Sequence, residues 1–151
     1  MVIRIADKTD IELMMSSRLE MLKEVNSLDS DYQYSEDFVE NSRRYFLEGN
    51  HTTVLAIDKE KVVGCATICY FTVMPTVSHP TGNRAHLMNV YTAKEYRKQG
   101  IGMKMVNMLI DDARDKGATE ISLDATESGR FLYRKCGFKD SEECMVLGLC
   151  L

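Results

Sequence analysis

The chain has 151 residues, 44% of them hydrophobic and 28% charged, with a formal net charge of −4. That length suits a single core, and the composition is that of a globular domain rather than a disordered or fibrous chain. The acidic balance lacks the Lys/Arg stripe of a nucleic-acid binder, and no apolar run approaches the roughly 20 residues of a membrane span, so neither partner is expected.

Met1 to Ala6 reads as a first strand, running straight into charged residues, so no signal peptide is expected. Asp7 or Thr9-Asp10 caps a helix, in which Ile11, Met14, Met15, Leu22, Val25 and Leu28 recur with helical spacing. A polar turn over 27–35 follows, and Ser35 restarts a helix that carries Val39, Tyr45, Phe46 and Leu47 and stops at Gly49-Asn50. Thr52 to Ile57 and Val62 to Met74 read as a hairpin around the turn 58–61. Both prolines, Pro75 and Pro80, lie in a loop over 75–83. Arg84 to Thr92 is a strand, Ile101 to Lys116 a helix ended by Gly117, Glu120 to Ala125 a strand, and Glu127 to Cys136 a short helix. Glu143 to Leu149 completes the order as a last strand, giving β-α-α-β-β-β-α-β-α-β. The strand–helix–strand unit around Ile101 is a crossover with parallel pairing, and the other strands suit antiparallel pairing. We expect one α/β domain over 1–151, a mixed sheet with helices on both faces.

The five cysteines are odd in number and, without a secretion signal, point to reduced thiols in the cytoplasm. There is no C-x-x-C pair, and His51, His79 and His86 are scattered, so no metal is expected. Asn50-His51-Thr52 matches a glycosylation sequon by chance.

The chemistry concentrates at Tyr96-Arg97-Lys98-Gln99-Gly100-Ile101-Gly102, which joins a strand to a helix. Free N–H groups and the positive dipole end favour an anion there, glycines allow close approach, and Arg97, Lys98 and Lys104 add charge. A plain tight turn is the bland alternative. The Walker frame and the G-x-G-x-x-G frame both fail on this stretch, which disfavours a nucleotide-binding protein. The spacing Arg97-x-x-Gly100-x-Gly102 resembles the acyl-CoA pyrophosphate loop of the GNAT superfamily of N-acetyltransferases. Downstream, Tyr133-Arg134-Lys135-Cys136-Gly137-Phe138 is similar to that family's Tyr-x-x-x-Gly-Phe element.

The resemblance covers Ile3 to Leu149 and implies acetyl-CoA as co-substrate. It implies that backbone groups of Val90 and Thr92 flank the pantetheine arm. It also implies that Arg97, Lys98, Gln99, Gly100, Ile101 and Gly102, with Met103 and Lys104, cradle the pyrophosphate. Tyr133 takes the place of the general acid. Thr126 stands where many members have an Asn that contacts pantetheine. The fourth strand lacks the glutamate base of several members, leaving His86 as its only ordinary base, with Asp124, Glu127 or a water chain as alternatives. The implied reaction is acetyl transfer to a primary amine of a small molecule or peptide in a ternary complex. A ping-pong route through Cys136 and a non-catalytic acyl-CoA sensor are the rivals. Asp29, Asp31, Glu36 and Asp37, among Tyr32 and Tyr34, either attract a cationic amine or form a solvated loop. The 75–83 loop is a pocket wall or a homodimer contact.

Overall fold

Alternating apolar residues in three long strands build the centre of the molecule. The computed structural model describes residues 1–150. Its sheet comprises β1 (Val2–Ile5), β2 (His51–Asp58), β3 (Lys61–Thr72), β4 (Asn83–Thr92) and β5 (Glu120–Leu123), which lie side by side in chain order. The first four pair antiparallel, and β5 joins β4 in parallel. The helices are α1 (Ile11–Val25), α2 (Glu36–Glu48), α3 (Ile101–Asp115) and α4 (Arg130–Lys135). Among the described residues no helix is long and apolar enough to cross a membrane.

Strand alternation sends Val54, Ala56, Ala66, Ile68, Ala85 and Leu87 to one face, where Met105, Val106 and Leu109 of α3 cover them. Leu55 and Cys65 point to the other face, against Met14 and Met15 of α1 and Phe46 of α2. With both faces covered, β2 is buried without a break from Thr52 to Ala56.

One irregularity positions the site. Cys65 pairs with Tyr91 and Thr67 with Met88, so Ala66 faces two residues of β4, Asn89 and Val90. Asn89 absorbs this bulge with a left-handed φ of 60°. The extra residue reverses the alternation: Ala85, Leu87 and Val90 pack toward α3, while Tyr91 packs toward α1 and α2. The β4–β5 pairing covers only Arg84 to Leu87, ending at Leu123. Beyond Leu87, β4 has no strand on that side, and the sheet forks.

Three expectations are corrected. Helix α1 stops at Val25 rather than Leu28, because Ser27 takes a left-handed φ of 52°. The helix expected from Glu127 starts as a 3₁₀ turn over Glu127–Gly129 and becomes α-helical at Arg130. The strand expected over Glu143 to Leu149 is absent: residues 139–150 form no helix or strand, and Met145, Val146, Leu147 and Leu149 are 95, 88, 82 and 89% exposed. Asp140, at the start of this stretch, is held to α4 by Arg130 at 2.6 Å and Arg134 at 2.9 Å. The apolar residues beyond it meet no neighbouring strand, and propensity without a ladder does not make one.

At the other end, Arg4 of β1 forks onto both carboxylate oxygens of Asp10 at 2.8 Å. Asp10 also accepts the Asp7 N–H at 2.9 Å, which closes the turn into α1. The Arg4 hydrogen bonds hold the Asp10 carboxyl down to about 2. A lowered folded-state value stabilises above the unfolded value of about 3.9, and the gain is lost as pH falls through the folded one. Asp10→Asn is expected to cost about 1–2 kcal/mol at pH 7, toward the low end because Arg4 is half in solvent. Melting curves from pH 7 to pH 2 check this: the gap between wild type and variant must close as the pH approaches about 2.

Candidate functional site

Helix α3 starts directly after Gly100, whose φ is 82°, with no side chain capping it. Lys98, two residues earlier, is also left-handed at 62°. Left-handed residues in such a turn aim successive N–H groups at a common anion. The first helical bond across the boundary is from the Lys104 N–H to the Gly100 carbonyl at 3.0 Å. The N–H groups of Ile101, Gly102 and Met103 precede it and have no intrahelical acceptor. A Cβ on Gly102 would lie 3.4 Å from Leu132 and 3.7 Å from the Thr92 hydroxyl. The helix start therefore rests against both the end of β4 and α4. Lys98 and Lys104 are exposed, and Gln99 donates to the Glu95 carbonyl at 3.3 Å.

The Arg97 side chain turns away from this cradle. It donates to the Thr92 carbonyl at 2.8 Å, pairs with Glu24 at 2.7 Å and lies 5.8 Å from the Tyr91 ring centre. The Tyr91 hydroxyl also donates to Glu24. Burial, together with that carboxylate, pushes the Tyr91 phenol up to about 12. Arg97 thus ties the turn to the end of β4 and to Glu24 on α1. Glu24 is 73 residues away in the chain, and no local spacing points to it.

At the fork, Val90 is half-buried toward α3. His86 lies one residue before the pairing ends. Its Nδ1 is 2.8 Å from the Ser122 hydroxyl and its Nε2 is 3.7 Å from Asp124. The structure thus joins two of the residues weighed as bases. Tyr133, on α4, is half-buried and meets Phe138 edge-on at 6.0 Å. Burial raises its phenol above the usual value, aided by the nearby Cys136 sulfur. A Cβ on Gly129 would sit 2.9 Å from the Tyr133 ring, so the ring's seat depends on that glycine. Thr126 is exposed where β5 passes into the 3₁₀ turn, 3.3 Å from the Ser128 hydroxyl. The Cys136 thiol is raised by burial.

On the α1 side, the bulge starts a one-way hydrogen-bond relay. The Phe46 carbonyl can only accept, so His51 donates to it from Nε2 at 2.8 Å. His51 Nδ1 then accepts from Thr53 at 3.1 Å, and Thr53 accepts from Thr67 at 2.9 Å. Thr67 accepts the Asn89 amide N–H at 3.1 Å, which turns Asn89 Oδ1 toward Arg18 of α1. Sequence reasoning missed both Asn89 and Arg18. The available signal was Arg18 standing in the apolar stripe with Ile11, Met14 and Met15. Asp29, Asp31, Glu36 and Asp37 are exposed, and the last two sit in the first turn of α2 behind the Ser35 cap. The 75–83 loop is tied by His79 to Thr119 at 2.9 Å and to Glu120 at 3.3 Å. Surface clefts of about 420 and 280 Å³ lie elsewhere, the larger between the C-terminal half of α3 and residues 118–121 and 136–139.

The model of the acetyltransferase (GNAT) family matches residues 19–138. Human N-acetyltransferase 8 is 32% identical over 108 residues, covering 68% of this chain and 45% of that protein. N-alpha-acetyltransferase 30 of Schizosaccharomyces pombe is 30% identical over 108 residues, covering 69% of each chain. This chain thus spans under half the length of the human relative. A Clostridium acetobutylicum structure, described as a predicted acetyltransferase with acetyl-CoA, superposes with a TM-score of 0.85 at 26% identity, covering 98% of this chain and 96% of that one.

Gly100 has open space around its missing Cβ, so its left-handed φ is the whole obstacle to substitution. Gly100→Ala is expected to cost about 1–2 kcal/mol, or about 2–8 °C of melting temperature. Gly148, in the exposed tail, lacks that constraint, and Gly148→Ala is the control expected to leave the melt unchanged.

Proposed function

Because the chain belongs to the acetyltransferase (GNAT) family, we propose that it transfers an acetyl group from acetyl-CoA to a primary amine of a small molecule or peptide. The amine attacks directly in a ternary complex. The observation that carries this reading is the fork between β4 and β5, with the uncapped start of α3 and the α4 helix against its edge.

Acetyl-CoA supplies a thioester carbonyl activated for attack and a thiolate leaving group. The free N–H groups of Ile101, Gly102 and Met103, with the backbone from Arg97 to Gly100, hold the pyrophosphate, and Lys98 and Lys104 add positive charge. Val90 and Thr92 line the slot. The Thr92 carbonyl is already fixed by Arg97 at 2.8 Å, so that edge is set before ligand arrives. In this reading the Val90 N–H donates to the acyl oxygen and stabilises charge that develops there. Thr126 lines the far side with its hydroxyl.

Tyr133 keeps its proton at neutral pH because burial disfavours the phenolate. It gives that proton to the departing sulfur as the C–S bond breaks, and the phenolate left behind regains a proton from solvent. His86 takes the proton from the attacking amine, directly or through water, with Ser122 and Asp124 fixing the ring. Burial raises the Cys136 thiol and reduces its thiolate, which favours direct attack over an acyl-cysteine. The odd number of cysteines suits an enzyme of the cytoplasm.

CoA release measured over a panel of primary amines tests the reading. Amine-dependent release is expected, whereas acetyl-CoA binding with no turnover across a broad panel makes the chain a binding module. Tyr133→Phe is expected to lower kcat about 100-fold and leave the KM for acetyl-CoA within about threefold. An unchanged kcat, with chemistry limiting the rate, removes Tyr133 as the acid. Glu24→Gln is expected to do the reverse, raising the KM for acetyl-CoA severalfold by loosening the Arg97 brace, with kcat nearly unchanged.

A further inference from the structure

Eight of the nine arginines hold a carboxylate in an ion pair, and Arg18 is the exception among the described residues. Its place is unusual as well. It sits on the stripe of α1 that faces the sheet, between the buried Met14, Met15 and Met21. Its guanidinium carries five N–H donors. The chain uses one, to Asn89 Oδ1 at 3.1 Å.

The ionisable groups that face Arg18 are the thiols of Cys65 and Cys69 and the phenol of Tyr34. Burial raises all three, Cys65 to about 11, so none offers a negative charge at neutral pH. A half-buried cation without a counter-charge costs stability, and such local losses concentrate at functional sites.

The position says which ligand. Asn89 is one half of the bulge and Val90 is the other. Cys69, which faces Arg18, is the cross-strand partner of His86, so their side chains share a face of the sheet. Arg18 therefore stands on the α1 side of the fork, on the face that carries His86. The relay from His51 fixes the Asn89 amide, which in turn holds the guanidinium with its remaining donors free.

We infer that Arg18 is a specificity-determining residue that recognises an oxyanion, carboxylate or phosphate, carried by the amine acceptor. This rests on the acetyltransferase reading above. The acceptor is then a zwitterion or an aminated phosphate, with its amine at His86 and its anion at Arg18. The acidic residues of the α1–α2 connection stay in solvent and play no part in this recognition.

Matched pairs of amines test it: β-alanine against β-alaninamide for a carboxylate, and phosphoethanolamine against ethanolamine for a phosphate. Wild type is expected to favour the charged member of at least one pair by about 10- to 100-fold in kcat/KM. The pair that responds identifies the anion. Arg18→Met is expected to bring the preference within about threefold while acetyl-CoA affinity holds, and to melt no lower than wild type because Met suits the stripe. Arg18→Lys keeps the charge, loses the fork, and is expected to fall between.

Binding of the same pairs to the CoA-bound protein gives a readout without turnover. A charge preference that Arg18→Met removes, with no turnover by wild type, leaves the oxyanion site standing and the transferase reading fallen. No preference for a charged member by either measurement, or a preference unchanged in Arg18→Met and Arg18→Lys, overturns the oxyanion site.

Discussion

One extra residue in β4 organises the molecule. Ala66 faces both Asn89 and Val90, and the sheet cannot continue past that point in its original alternation. Val90 turns toward α3 and Tyr91 toward α1, so the two faces of β4 exchange roles within two residues. The parallel ladder with β5 ends just before the bulge, at Leu87 and Leu123. A gap therefore opens between β4 and β5 beyond Leu87. The bulge also carries Asn89, whose amide ties the opening to a relay running back to β2.

The rim of the gap is held by residues distant in sequence. Glu24 receives both Arg97 and Tyr91, joining the end of α1 to the turn before α3 and the end of β4. The turn's own conformation is costly, since Lys98 is a non-glycine in the left-handed region. Strain at Lys98 and the uncompensated charge of Arg18 are local losses of stability gathered around the fork, while Arg4 with Asp10 and the α3 core supply stability away from it. Sheet and helix place the two departures on opposite sides of the gap. The free N–H groups lie at the uncapped start of α3, and Arg18 lies on α1.

The local signals of sequence transferred well where the structure is local. The strand–turn–helix around Gly100 reads directly, because a glycine before an apolar-periodic run is enough to start a helix there. The five strands and four helices that exist were each legible, with ends off by a few residues where capping and φ decided. The last strand was misread because Glu143 to Leu149 carries strand-like residues without a neighbour, and composition cannot report pairing. The role of the Arg97 side chain was equally opaque, because its charge suits a phosphate and Glu24 alike.

What the sequence determined by itself is therefore the order of the five strands and four helices, the glycine turn before α3 and the presence of Tyr133, all functions of residues within a few positions of one another. Only the tertiary structure decided that Glu24 holds the turn, that Gly129 seats Tyr133, that His86 stands at the fork with Asp124, and that Arg18 pairs with no carboxylate among the described residues. Each of these depends on contacts between segments far apart in the chain. Register and bulge set those contacts, and a one-residue change in register moves a side chain to the opposite face of the sheet.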